Sequence, residues 1–184
     1  MFHSETVGYG SAASLMVVKY WLYLLTRGIS FYLLWSESSA GLLAPVMNLA
    51  VPSDLMALRD ILVWLSQEVS PHLAPEQFWQ VQLLIVEGFT NTVKYAHRGL
   101  PPITPIQIQL YPWAYGVEIH IWDFGRPFDL QRELNNRLSE PNPYSEHKQG
   151  LLLMSKTADG LDYLRVGDRR NCLIIHKILC WQKG

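Results

Sequence analysis

Two consecutive segments alternate strictly between apolar and polar side chains. Ile106, Ile108 and Leu110 interleave with Gln107, Gln109 and Tyr111; Val117, Ile119 and Ile121 interleave with Glu118, His120 and Trp122. Side chains along a strand point to opposite faces in turn, so this pattern predicts paired strands with one apolar face. Pro112 and Gly116 fall between them and predict the turn. That apolar face needs a second layer, and the flanking segments supply helices. Ser53 or Asp54 can cap a helix running to about Val69, with Leu55, Leu58, Leu62 and Leu65 on one face. After Pro71, Pro75 suits the first turn of a second helix, which runs through Phe78, Val81, Ile85 and Phe89 to about His97. Asn48–Val51 reads as a short strand, Leu130–Leu138 as a short helix, and Gly150 to about Asp159 as another helix. Leu161–Val166 and Cys172–Leu179 form a closing hairpin about a turn at Gly167–Asn171. The order β-α-α-β-β-α-β-β predicts an α+β, two-layer α/β sandwich, with helices on one face of a mainly antiparallel mixed sheet.

Charge excludes some functions. The 184 residues carry 15 Lys+Arg and 16 Asp+Glu, and only 17% are charged. No direct nucleic-acid binding is expected without a basic excess on one face. Hydrophobic residues make up 49% of the chain, which excludes a disordered segment. Low charge and many aromatics permit an apolar homodimer interface. Two cysteines cannot form a disulfide scaffold. Placed together on the last strand, Cys172 and Cys180 would lie roughly 26 Å apart, too far to bridge. They read as small apolar residues, and a cytoplasmic location is the default.

The chain divides into residues 1–46 and 47–184. The first part contains Glu5, Lys19, Arg27 and Glu37 as its acidic and basic residues, around an apolar stretch from Leu15 to Trp35. A membrane span is not expected there, because a central Arg costs roughly 2.5–3.5 kcal/mol on insertion. It reads as an extension without its own core, or as sequence upstream of a natural start at Met47. The second part holds the whole domain pattern.

Three polar placements in that domain are unusual. On the second helix, Asn91 lies about 40° from Glu87 and Lys94 about 20° to the other side, so one stripe carries a carboxylate, an amide and an ammonium. Such a stripe is either a solvated face or an oxygen pair able to hold hydrated Mg²⁺. Gly88 beside it suggests close backbone approach. Asp123 shares the parity of Val117, Ile119 and Ile121, so it either faces inward and needs donors or ends the strand by capping a turn. Gln149-Gly150-Leu151 is either an ordinary helix start or one whose N–H groups receive phosphate. His72, His120, His147 and His176 lack metal-ligand spacing, and the seven tryptophans read as core and interface.

In order, these segments resemble three boxes of the GHKL ATPase superfamily. Glu87-Gly-Phe-Thr-Asn91-Thr-Val-Lys94-Tyr-Ala-His97 resembles the N box, Trp122-Asp123-Phe124-Gly125-Arg126-Pro127-Phe128 the G1 box, and His147-Lys148-Gln149-Gly150-Leu151 the G2 box. The D-x-G-x-P-F form and compact size look most like the anti-sigma-factor serine/threonine kinase branch. The resemblance covers Met47 to the C-terminus.

The resemblance implies a Bergerat ATP-binding fold with ATP and Mg²⁺ as cofactors. It places Asn91 on Mg²⁺ and the triphosphate, Glu87 as general base, and Lys94 on phosphate. It places Asp123 on the adenine amino group, with the base and ordered water as its donors. Gly125 would let the chain pass the base, Phe128 joins the cofactor-binding set, and Gly150 and Leu151 would offer N–H groups to phosphate. Residues 126–149 would form the lid. Lys148 and Arg170-Asn171 depart from the family's usual glycine and Gly-Thr. The implied activity is a regulatory kinase phosphorylating an anti-anti-sigma (STAS-type) protein on Ser or Thr, with sigma-factor sequestration as a second property. The alternatives are a non-catalytic partner-binding module, a detached histidine-kinase ATPase domain, and a membrane-tethered version using residues 15–35.

Overall fold

The computed structural model describes residues 46–138 and 149–182. The Leu15–Trp35 stretch and residues 139–148 of the expected lid, His147 and Lys148 among them, lie outside these residues. The chain divides into two units, Met1–Gly41 and Leu42–Gly184, and every described residue belongs to the second.

Among the described residues, five strands and four α-helices follow the expected order, with the short Leu130–Leu138 helix added before the helix that precedes the closing hairpin. They are β1 (Met47–Pro52), α1 (Leu58–Glu68), α2 (Pro75–Asn91), β2 (Pro105–Trp113), β3 (Gly116–Asp123), α3 (Leu130–Leu138), α4 (Gln149–Thr157), β4 (Gly160–Val166) and β5 (Arg170–Ile178). The sheet order is β1-β2-β3-β5-β4, and every pairing among the described residues is antiparallel. Alternation sets the register: Ile108 opposes Ile121 and Leu110 opposes Ile119, so apolar residues collect on one face. Val81, Leu84, Ile85 and Phe89 of α2 pack in the same fully buried core. Gly88 allows this approach, since a Cβ there would run into Ile121 Cδ1. Among the described residues no helix is long and apolar enough to cross a membrane.

Four local expectations change. Asp54 caps as expected, accepting from Met56 N at 3.0 Å, but the turn it caps is a 3-10 turn, Leu55–Ala57. That turn winds faster than an α-turn. The buried stripe is therefore Ala57, Ile61, Leu65 and Val69, leaving Leu55 and Leu62 exposed. Pro112 and Gly116 lie within strands, and the turn is Ala114-Tyr115. Pro112 is tolerated because β1 pairing stops at Leu110, so no β1 partner requires its N–H. Cys180 lies beyond β5 and is exposed, while Cys172 is buried on it. Finally, α2 does not stay α-helical to His97. It changes at Asn91 into a π turn, Thr92–Ala96, closed by His97 N on Thr92 O at 2.8 Å.

Candidate functional site

The π turn decides which side chains reach the space between the helices and the sheet. Its wider i→i+5 winding makes each residue advance less than 100°. Lys94 therefore falls behind the Glu87–Asn91 stripe and is exposed. Tyr95 moves into the stripe and lines a cavity with Asn91, Thr92 and Ala96. The turn is tied to the end of β3. The N–H of Phe124 donates to His97 Nε2 at 2.9 Å, and His97 is buried. Burial pushes the His97 pKa below the usual histidine range, against the opposing pull of the Asp123 charge. The ring is thus neutral, with Nε2 accepting and the proton on Nδ1.

Gly125 completes this junction. A Cβ there would collide with the backbone carbonyl of Ala96. The close approach at Gly125 is therefore to the π turn, which adds a protein contact to the adenine passage implied by the sequence.

Asp123 is the last residue of β3, faces inward and is 1% exposed. Both readings of it hold, for it also caps the turn by accepting from Gly125 N at 2.7 Å. Its other donors come from the protein rather than from base and water alone. Asn171 Nδ2 donates to Oδ1 at 2.7 Å and Tyr163 OH donates to Oδ2 at 2.9 Å. Asn171 is fully buried, directly opposite Asp123 in the β3–β5 register. It also donates to Gly125 O at 3.1 Å, while Arg165 Nη1 donates to its Oδ1 at 2.9 Å. Burial and the adjacent Asp123 charge push the Tyr163 ionisation far up, so its hydroxyl stays a donor.

The cavity has a volume of about 580 Å³, within the range that holds small ligands. Phe128, Leu151, Met154, Tyr163 and Leu173 give it an apolar wall that ends at Asp123. Arg98, Arg126 and Arg137 bring positive charge to the lining, with Glu133 paired to Arg137 Nε at 2.8 Å. At the start of α4, a Cβ on Gly150 would overlap Glu87 Oε2 and stand 3.8 Å from Asn91 Oδ1. Two oxygens thus converge where that helix begins, and Gly150 leaves room there for the Glu87 carboxylate. An apolar slot ending in a carboxylate suits an amine-bearing base. The arginines and the helix start suit phosphates, and one or two protein oxygens suffice for a Mg²⁺ that keeps its waters and bridges phosphates.

The structure brings Asn91, Asp123, Phe128 and Leu151 to one cavity, with Gly125 and Gly150 shaping its borders and Glu87 against α4. Lys94 is outside the wall. Sequence reasoning missed Tyr163, His97 and the arginines. Tyr163 is an inward-parity residue on β4, and its polar tip at an apolar position was the available signal.

Comparison with known families agrees with this architecture. The family model for the histidine kinase-like ATPase domain matches residues 51–177, from the end of β1 almost to the end of β5. No curated protein matches the chain. The match spans most of the chain and all three candidate boxes, and the chain belongs to the histidine kinase-like ATPase domain family.

Proposed function

We propose that this chain is an ATP-dependent regulatory serine/threonine kinase acting on an anti-anti-sigma (STAS-type) protein, and that it also sequesters a sigma factor. The observation that carries the nucleotide part is one cavity that joins Asn91 and the Gly150 helix start to the inward Asp123 along an apolar wall. Asp123 would accept from the adenine amine. Tyr95 and Phe128 would flank the base. Asn91 would hold Mg²⁺, which when bound neutralises charge on the phosphates. Glu87 would accept the proton of the substrate hydroxyl as it attacks the γ-phosphorus in line with the departing diphosphate oxygen. Lys94 would reach phosphate only from outside the cavity wall. The D-x-G-x-P-F segment supports the kinase branch.

The test is Mg·ATP calorimetry on the full chain beside Asn91→Ala and Asp123→Ala, followed by phosphate transfer to a STAS protein. The expected result is binding lost in both variants and an acid-stable phosphoprotein. An acid-labile product would instead assign a histidine-kinase role.

One observation favours the non-catalytic alternative. Glu87 is seated against Gly150, so it has packing work at the start of α4 whether or not it moves a proton. Glu87→Gln separates the readings. A kinase loses transfer and keeps ATP, whereas a binding module performs no transfer in either form.

A further inference from the structure

Another cavity lies on the face of the sheet turned away from the helices. It has a volume of about 240 Å³ and is lined by Ala50, Pro105, Gln107, Trp122, Phe124 and Arg170. None of these lines the cavity at Asp123. The sheet register assembles it. Gln107 opposes Ala50 on one side and Trp122 on the other, and Trp122 opposes Cys172. Arg170 stands two residues before Cys172 and so shares its face of β5. The Arg170 guanidinium lies 4.6 Å from the centre of the Trp122 ring and 5.7 Å from that of Phe124, within cation–π reach of both. Its Nη2 donates to Gln107 Oε1 at 3.1 Å. Both supports are themselves held: Gln107 Nε2 donates to Asn48 Oδ1 at 3.2 Å, and Trp122 Nε1 donates to Gln109 Oε1 at 2.7 Å. The charge has no counter-charge. Among the described residues, no carboxylate stands within ion-pair distance of Arg170. Its Nε is buried without a hydrogen-bond partner, and its Nη1 has none among the described residues. A guanidinium carries five N–H donors, so this one is fixed in position and short of acceptors.

We propose that this cavity docks a carboxylate side chain of a protein partner, which pairs with Arg170 while its aliphatic stem lies against Phe124, Pro105 and Ala50. A planar carboxylate matches the fork of a guanidinium better than other acceptors of its size. The volume falls below the roughly 300 Å³ at which pockets begin to enclose small molecules, so it has room for one side chain. The mouth argues for a protein as the carrier. Phe124 is 38% exposed at the cavity itself. Ile103, two residues before Pro105, is 84% exposed. Met56 is 81% exposed on the turn that Ser53 N ties to Thr104 O at 3.0 Å. A free small acid leaves these apolar side chains in water, whereas a peptide carrying the acid covers them around a central arginine and its aromatic neighbours. The proposal is independent of the nucleotide reading, since the two cavities share no lining residue.

The test is ¹H–¹⁵N NMR titration of the full chain, read at the Trp122 indole N–H, which is assigned by its loss in Trp122→Phe. The probes are the tripeptide acetyl-Leu-Glu-Leu-amide, its Leu-Gln-Leu counterpart, glutarate and inorganic phosphate. The glutamate peptide should shift the signal saturably, with half-saturation in the range of about 1–10 mM for so short a ligand. The glutamine peptide should bind at least about tenfold more weakly, since it loses the charge on the acceptor. Glutarate and phosphate should each bind about threefold or more weakly than the glutamate peptide, because neither covers the apolar rim. Arg170→Lys keeps the charge but not the fork, and should weaken the glutamate peptide about fivefold or more. No shift with the glutamate peptide overturns the proposal, and so does equal binding of the two peptides. Glutarate binding as tightly as the peptide would assign the cavity to a free small acid, and tighter phosphate binding would assign it to phosphate; either result overturns the partner. If Arg170→Lys does not fold, the two peptides compared on the parent protein decide alone.

Discussion

Strand β3 buries two carboxylates, and it holds them in opposite ways. Asp123 points toward the helices at the strand's end, while Glu118 points to the other face near its start. The partners of Asp123 are a backbone amide, a side-chain amide and a phenol. None of these titrates near neutral pH. The partners of Glu118 are two histidines, with His120 Nε2 at 2.5 Å and His176 Nδ1 at 3.2 Å, and the His120 ring meets Tyr111 at a tilt, 4.7 Å between centroids. The inner carboxylate therefore meets neutral donors and lies beside a cavity, which suits recognition of a ligand donor. The outer one is held by two imidazoles, and burial lowers the pKa of one of them, His176.

The largest expected effect is on the inner face. Asp123→Ala strands the Asn171 amide, the Tyr163 hydroxyl and the Gly125 N–H together. At about 1–3 kcal/mol for each buried unsatisfied group, and less than additive within one network, the variant should lose about 3–5 kcal/mol in urea unfolding. Glu118→Gln keeps an acceptor oxygen for His120 and should lose about 1–2 kcal/mol. A Glu118→Gln midpoint below that of Asp123→Ala would reverse the ranking of the two faces.

Next comes the junction that aims the inner carboxylate. Gly125→Ala forces a Cβ onto the Ala96 backbone, which cannot swing aside as a side-chain tip can. A loss of about 2–3 kcal/mol is expected, with weakened ATP binding as the π turn is displaced. Were Gly125 needed only for passage of the base, stability would be unchanged and binding alone would suffer.

Legibility followed the range of the interactions. The strands, the α2 helix and the inward parity of Asp123 were readable because each is a local periodicity. The Tyr163–Asp123 and Asn171–Asp123 bonds were not, since they join residues 40 and 48 positions apart and depend on β5 lying between β3 and β4. The same holds for Arg98, Arg126 and Arg137, which only the fold assembles around one cavity. The π turn leaves no periodic signal of its own, and the 3-10 turn before α1 shifted a stripe that uniform α-helical spacing placed one residue away.

The pH response is shared by the two faces. Burial lowers the pKa of His176 on the outer face, with Glu118 and Asp162 opposing and His120 reinforcing the shift. His97 on the inner side is lowered by burial too. A folded pKa below the unfolded value means that the unfolded chain binds more protons between the two. This contribution is complete above pH 6.5 and is lost as pH falls through each folded pKa. Chemical denaturation from pH 7.5 downward should show stability falling below about pH 6.5. His176→Gln and His97→Gln should each flatten that decline, since each keeps a hydrogen-bonding side chain that does not titrate. A wild-type curve flat or rising toward acid would contradict both shifts.

The smallest effect belongs to Lys94, and it sets the resemblance against the local geometry. By uniform α-helical winding, Lys94 stands beside Glu87 and Asn91 and touches phosphate. The π turn carries it out of the cavity wall and leaves it exposed. An exposed charge facing a ligand across solvent is screened within about 8 Å at physiological salt. Lys94→Ala should therefore weaken ATP by less than about threefold at 0.15 M salt, more at low salt, with stability within about 0.5 kcal/mol. Arg126→Ala, from the cavity wall itself, should weaken ATP more than Lys94→Ala at the same salt. A Lys94→Ala loss as large as that of Asn91→Ala would mean that the turn rewinds to α when nucleotide binds, carrying Lys94 in and Tyr95 out.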